Sequence, residues 1–418
     1  MKQGAILVSS IELANKILKS NTRARYQINN YFKKNKFAGA KDKKKIIDLV
    51  FKFLKNYFSL KKKCKINQIE FSARNGILLL YFNYNKLENF EIIYEGKFSL
   101  VSENDDIKIF KLARSSKEDI IPCLPKWIED KLTKEFKLNL QKNYQSILDQ
   151  PRFDIRINKR FTDRNKVLKL LNNNEIMSYK TTFSPVGITI EKRIIEKTIK
   201  KIRQNFFEVQ DEASQIVTII SGAKSGMKVL DYCAGKGTKT LALLDIMHSK
   251  GEIYVNDVNI QRLEILKKRV KSLKSEHSIN VFTENKKFRE YFDLILLDVP
   301  CSGSGVWRRR PENMVKLDLG QHLKNIKIQS ELLEKASKYC KKGGTISYIT
   351  CSLLEDENEK QIKNFLLNNK AFQILDINII LKNKLNNLNL KSSEKWLTIL
   401  PNYLNTDGFF ICMLRKYV

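Results

Sequence analysis

Short apolar runs alternate with helical stretches over residues 228–350, and this alternation limits the possible fold more than any other feature. Each run has the length and composition of a strand, and four of the five end in a polar residue. The runs are 228–231, 252–256, 279–282, 292–298 and 344–350. Strands that alternate with helices at this spacing predict βαβ units and a parallel sheet. Ligands of such sheets bind beyond the carboxyl ends of the strands, so we expect the active site there.

The chain ahead of these strands has a different pattern. Apolar positions recur at helical spacing over residues 11–60 and again over 127–148, which predicts a helical N-terminal region. The apolar stretch 76–84 is compatible with either a strand or a buried helix. Prolines near residue 125 mark a boundary, and a middle segment runs to about residue 205. The Lys- and Asn-rich stretch 382–391 predicts a surface loop.

The chain is strongly basic. It has 77 Lys and Arg against 45 Asp and Glu, a formal net charge of +32, while 42% of its residues are apolar. That apolar content excludes a disordered polycation, and the charge favours a polyanionic partner, nucleic acid above all. A coding bias toward lysine would also account for the charge. The basic groups expected to contact phosphates are Lys33, Lys34, Lys43, Lys44, Lys45, Lys61, Lys62, Lys63, Arg308, Arg309 and Arg310.

Neither a membrane segment nor a metal site is predicted. The apolar runs 76–82 and 408–414 are too short to span a bilayer, and residues 5–8 are too short for a signal-peptide core. We therefore expect a cytoplasmic protein. Seven cysteines without a C-x-x-C pair indicate free thiols rather than disulfides or a metal cluster. Those expected in the core are Cys64, Cys123, Cys340 and Cys412.

The first predicted strand leads into a loop with the sequence Asp-Tyr-Cys-Ala-Gly-Lys-Gly-Thr-Lys-Thr at 231–240. Gly235 and Gly237 allow the backbone to turn tightly against a ligand before a helix begins. The loop matches neither the P-loop nor the dinucleotide fingerprint. Asp-x-x-x-Gly-x-Gly with an acid at the end of the next strand is the pattern of S-adenosylmethionine binding. Here that acid is Asp257, placed to accept both ribose hydroxyls.

Two thiols follow two of the later strands. Cys301 lies in Asp-Val-Pro-Cys-Ser-Gly-Ser-Gly at 298–305, and Cys351 lies in Tyr-Ile-Thr-Cys-Ser at 348–352. If both strands point the same way, both thiols open onto one pocket.

These motifs resemble those of the Nop/Sun family of RNA cytosine-5 methyltransferases, and within it the bacterial Sun-type enzymes of small-subunit ribosomal RNA. The stretches that carry the resemblance are 209–215, 231–240, 298–305, 309–312, 329–333, 350–352, 357–359 and 407–410, with weaker matches at 39–50 and 156–158. The resemblance implies an α/β fold, with a Rossmann-like S-adenosylmethionine-dependent methyltransferase domain over residues 206–418. Ahead of it the family has an all-α NusB-like RNA-binding domain, here 1–125, and a small α+β linking domain, here 126–205.

The resemblance also implies residue roles. Cytosine C5 is a poor nucleophile, and a thiolate that adds to C6 activates it by covalent catalysis. In the family the cysteine of Thr-Cys-Ser attacks and that of Pro-Cys assists release, so Cys351 and Cys301 take those roles. Asp298 is placed to hydrogen-bond the cytosine N3 and amine, and Glu284 is a candidate for the adenine site. The residues expected to bind the cofactor are Cys233, Ala234, Gly235, Lys236, Gly237, Thr238, Lys239, Asp257 and Asp298.

The expected partner is RNA, with small-subunit ribosomal RNA first, and the expected state is a monomer without metal. Possession of both cysteine motifs favours RNA over DNA, because the DNA enzymes attack with the Pro-Cys thiol. Two alternatives stay open at this point: the same chemistry on transfer RNA, and a non-catalytic RNA-binding factor of ribosome assembly that keeps the fold.

Overall fold

The computed structural model describes residues 1–85, 90–115, 122–191, 205–275, 278–385, 392 and 394–417. The chain folds into two compact units. The first comprises residues 1–130, 140–149 and 307–318, and the second comprises 131–139, 150–306 and 319–418. The three domains with boundaries at 125 and 205 stay a prediction.

The helices of the described residues are numbered in chain order. They are α1 Gln3–Lys19, α2 Ala24–Lys34, α3 Ala40–Lys55, α4 Tyr57–Ile66, α5 Ala73–Tyr84, α6 Asp106–Ser115, α7 Lys126–Glu129, α8 Lys134–Lys137, α9 Leu140–Leu148, α10 Arg164–Asn173, α11 Glu212–Ile219, α12 Thr238–Ile246, α13 Ile260–Ser272, α14 Pro311–Lys316, α15 Leu319–Tyr339, α16 Glu359–Asn368, α17 Ile377–Lys384 and α18 Pro401–Leu404. Short 3-10 turns lie at Phe90–Tyr94, Lys286–Phe288, Ser304–Val306 and Glu355–Glu357.

The first unit is helical, as the N-terminal pattern predicts. Helix α3 is amphipathic, with Ile46 and Val50 fully buried while Lys44 and Lys45 are exposed. The ambiguous stretch 76–84 lies in α5, which begins where the Ser72 hydroxyl accepts a hydrogen bond from the Asn75 backbone N–H. Nearly every side of α5 is buried, so the sequence shows neither alternation nor a polar face.

Helix α14 also belongs to the first unit, although it follows the Cys301 loop in the chain. Glu312 accepts a hydrogen bond from the backbone N–H of Ala24 at 3.2 Å, and Lys316 donates to the Ser20 carbonyl. The preceding Arg308 is only 2% exposed. The prediction that Arg308 contacts RNA phosphates is therefore wrong for this structure, because its side chain packs inside the unit; Arg310 alone of the three arginines is exposed.

The second unit contains two sheets. The strands are β1 Phe153–Ile157, β2 Ser178–Lys180, β3 Gly187–Ile190, β4 Phe207–Val209, β5 Lys228–Asp231, β6 Glu252–Val255, β7 Ile279–Val281, β8 Phe292–Asp298, β9 Cys340–Thr350, β10 Phe372–Ile374, β11 Leu397–Ile399 and β12 Phe409–Lys416. The smaller, antiparallel sheet has the order β2-β3-β1-β4, and α10 packs its apolar side chains against it.

The larger sheet has the Rossmann-like arrangement that the alternating pattern predicts. Its order is β10-β12-β9-β8-β5-β6-β7, with β11 paired to β12. Strands β5 to β9 are parallel, whereas β10, β11 and β12 run antiparallel to their partners. The parallel βαβ units stop after β9. The predicted parallel arrangement therefore applies to β5–β9 and not to the rest of the sheet. The carboxyl ends of β5, β6, β8 and β9 share one edge.

The structure also tests the predictions for the core cysteines and for the loop 382–391. Cys64, Cys340 and Cys412 are buried, as expected, but Cys123 is only partly buried because it lies in extended chain ahead of α7. The predicted loop 382–391 is wrong at its start, since 382–384 close α17, and residues 386–391 lie outside the described residues. Among the described helices, none combines the length and apolarity needed to cross a membrane.

Candidate active site

The loop after β5 is shaped by two glycines. Gly235 has φ +56° and Gly237 has φ +82°, where α12 begins. A Cβ on Gly237 would lie 2.1 Å from Cδ1 of Leu266, so a side chain there would displace the buried Leu266 side chain, and the positive φ adds backbone strain. Lys236 and Thr238, the residues on either side of Gly237, do not have positive φ. The two glycines therefore supply the left-handed backbone of this loop.

Asp257, just after β6, holds this loop in place. One of its carboxylate oxygens accepts a hydrogen bond from the Gly235 backbone N–H at 2.9 Å, and the other accepts from the Asn259 N–H at 2.8 Å. Each oxygen keeps a second lone pair for a ligand hydroxyl. The structure therefore places Asp257 where the sequence predicts it, beside the turn of the glycine loop.

Asp231, at the end of β5, is buried at 1% exposure. One carboxylate oxygen accepts from the Thr240 hydroxyl at 2.6 Å, while the other is a buried oxygen without a protein partner. Burial, and then the nearby Asp298, raise the pKa of Asp231 to about 7.

Lys239, the second residue of α12, forms an ion pair with Asp298 at 2.6 Å. Burial lowers the pKa of Lys239, but Asp298 more than offsets it and the net direction is upward. The carboxylate of Asp231 also lies near this ammonium group, and that of Asp257 lies near Asp231. An excess of negative charge, an unpartnered carboxylate oxygen and open space beside Gly235 fit a cationic ligand such as S-adenosylmethionine, which these residues would hold.

The two thiols meet beyond the ends of adjacent parallel strands. In the register of β8 and β9, Asp298 lies opposite Ile349, and the Sγ atoms of Cys301 and Cys351 are 3.3 Å apart. The hydrogen bond with Cys351, burial and the nearby charges raise the pKa of Cys301 well above its usual value. Cys301 therefore holds its proton at neutral pH.

A close backbone crossing joins the loops around the thiols. The Gly305 N–H donates to the Cys351 carbonyl at 2.9 Å, and the Gly408 N–H donates to the Gly305 carbonyl at 2.8 Å. A Cβ on Gly305 would lie 2.1 Å from the Gly408 carbonyl oxygen. Both positions belong to motifs that carry the family resemblance, and this crossing is the physical reason for their glycines.

Sequence reasoning gave no role to several residues around the thiols. Glu357 is fully buried between the two cysteine loops, and Asn358 accepts from the Thr350 hydroxyl at 2.6 Å while donating to the Ser352 carbonyl. The sequence signal that could have identified Glu357 and Asn358 was their position in the motif 357–359. Glu284 is less suited to a cofactor role than expected, since its carboxylate already accepts from Tyr232 and Lys335. Within the described ranges, no cluster of His, Cys, Asp or Glu is arranged to hold a metal ion.

The sequence matches two family profiles. That described as 16S rRNA methyltransferase RsmB/F matches residues 219–415, and that described as an RsmF/B-like ferredoxin-like domain matches residues 124–195. The second match contains the smaller sheet's β1, β2 and β3.

Curated relatives carry related names. Ribosomal RNA small subunit methyltransferase B of Photorhabdus laumondii is 28% identical over 306 residues, covering 70% of this chain and 66% of the relative. The probable ribosomal RNA small subunit methyltransferase B of Bacillus subtilis is 30% identical over 277 residues, covering 64% of this chain and 60% of the relative. The chain thus spans 60–66% of the length of these relatives.

Among solved structures, the crystal structure of a protein named PH0851 has a TM-score of 0.75 at 21% identity, covering 100% of this chain and 99% of that one. This likeness concerns the fold. The family is shown by the two profiles, which together match more than half of the chain, and by the relatives: the chain belongs to the RsmB/F family of S-adenosylmethionine-dependent methyltransferases.

Proposed function

We propose that this protein methylates cytosine C5 in small-subunit ribosomal RNA through a covalent bond between Cys351 and cytosine C6. The observation that carries the proposal is the pair of thiols 3.3 Å apart, at the strand edge that also bears the cofactor loop. The names of the relatives support ribosomal RNA as the substrate.

The chemistry explains why two thiols are needed. Attack of the Cys351 sulfur on C6 forms the S–C6 bond and moves electron density to C5, which can then bond to a methyl group. Bound S-adenosylmethionine supplies that electrophilic methyl group. The C5 proton must then leave so that the S–C6 bond can break and the aromatic ring can re-form.

Cys301 is suited to this second stage. The hydrogen bond with Cys351 and burial raise the pKa of Cys301, which favours a protonated thiol, and its sulfur lies 3.3 Å from that of Cys351, so Cys301 can carry a proton beside the reacting carbons. Asp298 lies three residues earlier on the same turn, and one of its oxygens is held by Lys239. The other is proposed to bind the cytosine N3 and amine.

RNA must present a cytosine outside a helix stack, and the helical part of the chain is proposed to hold the RNA backbone. Lys33, Lys34, Lys44 and Lys45 are exposed on α2 and α3, as are lysines 61 and 62 on α4. Their hold is electrostatic and sequence-independent. We propose accordingly that residues 1–125 form an RNA-binding domain, that residues 126–205 form a small linking domain, and that residues 206–418 form the catalytic domain. Monomeric state and cytoplasmic location stay predictions.

The test is a denaturing gel for a protein–RNA adduct. Cys301→Ala is incubated with S-adenosylmethionine and small-subunit ribosomal RNA, and separately with transfer RNA. We expect an adduct to accumulate with the ribosomal RNA, because release is blocked while attack is not. The double variant Cys301→Ala/Cys351→Ala should form none, and Cys123→Ala, which removes a thiol from the other unit, should behave as the wild type.

Each of the other outcomes would change one part of the proposal. An adduct with transfer RNA alone would keep the chemistry and change the substrate. An adduct that forms in the single variant Cys351→Ala, in which Cys301 is intact, would reverse the roles of the thiols. Absence of adducts and of 5-methylcytosine, in a protein that calorimetry shows to bind S-adenosylmethionine, would refute the covalent mechanism and favour a non-catalytic binding factor.

A further inference from the structure

Glu357 is a fully buried carboxylate that lies in the turn Glu355–Glu357, ahead of α16. Its Oε1 accepts hydrogen bonds from the Ser302 backbone N–H at 2.8 Å and from the Gln329 side chain at 3.1 Å. Its Oε2 accepts from the hydroxyls of Ser302 and Ser352. A buried carboxylate is costly unless its oxygens are hydrogen-bonded, and here donors from three segments satisfy them.

The donors identify what this carboxylate holds. Ser302 directly follows Cys301 and Ser352 directly follows Cys351, so one side chain anchors both thiol loops although they are 50 residues apart in sequence. Gln329 adds to the arrangement, because its amide also donates to the carbonyl of Pro300 at 2.9 Å. The residues on both sides of Cys301 are therefore fixed through a single hydrogen-bonded network.

We propose that Glu357 is a positioning residue that sets the distance between the Cys301 and Cys351 sulfurs. The inference rests on the proposed function, since it assigns a purpose to the thiol pair. A carboxylate suits this task because it only accepts: every group that faces it donates. A glutamine would turn an N–H group toward N–H and hydroxyl donors, and at least one loop would lose its anchor.

The test uses Glu357→Gln and phenylarsine oxide, an arsenic(III) probe that binds tightly only to two adjacent thiols. Its arsenic forms two As–S bonds, and the two thiol protons leave with the arsenic-bound oxygen as water, so no oxidant is involved. We expect wild-type protein to bind the probe through both sulfurs and Glu357→Gln to bind it at least about tenfold more weakly. Equal affinity in the two proteins would overturn the proposal, as would a wild type that does not bind the probe.

Two controls separate positioning from general stability. Asp106→Asn removes a fully buried carboxylate of the first unit that accepts from Arg74 and Tyr94, so it should lower stability without changing arsenical affinity. If Glu357→Gln does not fold, Ser352→Ala and Ser302→Ala each remove one hydroxyl donor. We expect each to weaken probe binding in the same direction, and unchanged affinity in both would overturn the proposal.

Activity gives an independent readout. Glu357→Gln should lower kcat by about tenfold or more, with the calorimetric affinity for S-adenosylmethionine within about twofold of wild type. An unchanged kcat in an active wild type would contradict positioning. If wild type forms no 5-methylcytosine but the arsenical affinities differ as expected, the proposed function fails while the structural inference stands.

Discussion

Replacing Asp231 by asparagine should make the stability of the protein less dependent on pH. Burial raises the pKa of this carboxyl from 3.8 to about 7 in the folded chain. A group with a raised folded pKa contributes stability that is fully present below its unfolded pKa and is lost as pH rises through the folded pKa. The wild type should thus lose stability between about pH 4 and pH 7 through this side chain.

The magnitude follows from the two pKa values. With 3.8 for the unfolded and about 7 for the folded chain, ionisation of Asp231 costs about 2 kcal/mol at pH 5 and about 4 kcal/mol at pH 8. Asparagine carries no charge, and its oxygen can still accept from the Thr240 hydroxyl, so it avoids this cost. Relative to wild type, Asp231→Asn should gain about 2.5 kcal/mol of stability from pH 5 to pH 8.

The assay is urea unfolding of both full-length proteins at several pH values, and the measured quantity is the difference between them. Effects of all other titrating groups cancel in that difference. Asp106→Asn is the matched control: the pKa of Asp106 is lowered, so it is ionised in both states from pH 5 to pH 8 and its difference from wild type should stay constant. A pH-independent difference for Asp231→Asn would refute the reasoning.

Three further predictions concern the loop, the ion pair and the lysines. Gly235→Ala should weaken S-adenosylmethionine binding by more than about tenfold in calorimetry, because its Cβ would enter the open space proposed for the cofactor, whereas Gly237→Ala should lower the urea midpoint more than Gly235→Ala does, because only its Cβ meets Leu266; the reverse order of urea midpoints would contradict this. Lys239→Met should cost about 3 kcal/mol in urea unfolding by leaving Asp298 unpaired, and Lys239→Met/Asp298→Asn should recover most of it, whereas no recovery would exclude the pairing. Changing lysines 43–45 to glutamine should reduce the slope of log affinity against log salt by about 2 in filter binding, and an unchanged slope would remove them from the RNA contact.

The parts of the site that lie within one loop could be predicted from sequence. The turn at Gly235 and Gly237 and the acid at Asp257 follow directly from strands with a clear apolar pattern, and the structure has them where they were expected. The helix over 76–84 could not be assigned, because its apolar residues are buried on nearly all sides and leave no period to detect.

Cys301 and Cys351 were expected to share a pocket because both follow predicted parallel strands, but other contacts between distant parts of the chain could not be predicted from local patterns. Arg308 stands in a run of three arginines, which indicates a surface patch, yet the chain around it packs into the helical unit and buries its side chain. Glu357 shows the same limit, since its partner Ser302 is 55 residues away. Nothing local distinguishes a carboxylate that faces water from one that accepts hydrogen bonds from two loops.

The register of two buried strands decides whether the thiols can meet at all. Ile295 lies opposite Ile346 and Leu297 opposite Tyr348, and all four side chains are fully buried. A slip of one residue would displace one strand end by about 3.3 Å, which is comparable to the whole distance between the two sulfurs. It would also exchange the side chains that face the two cores on either side of the sheet, so packing on both faces holds the register. The apolar residues of β8 and β9 touch no substrate, yet the covalent chemistry proposed for Cys351 depends on them as much as on the cysteine itself.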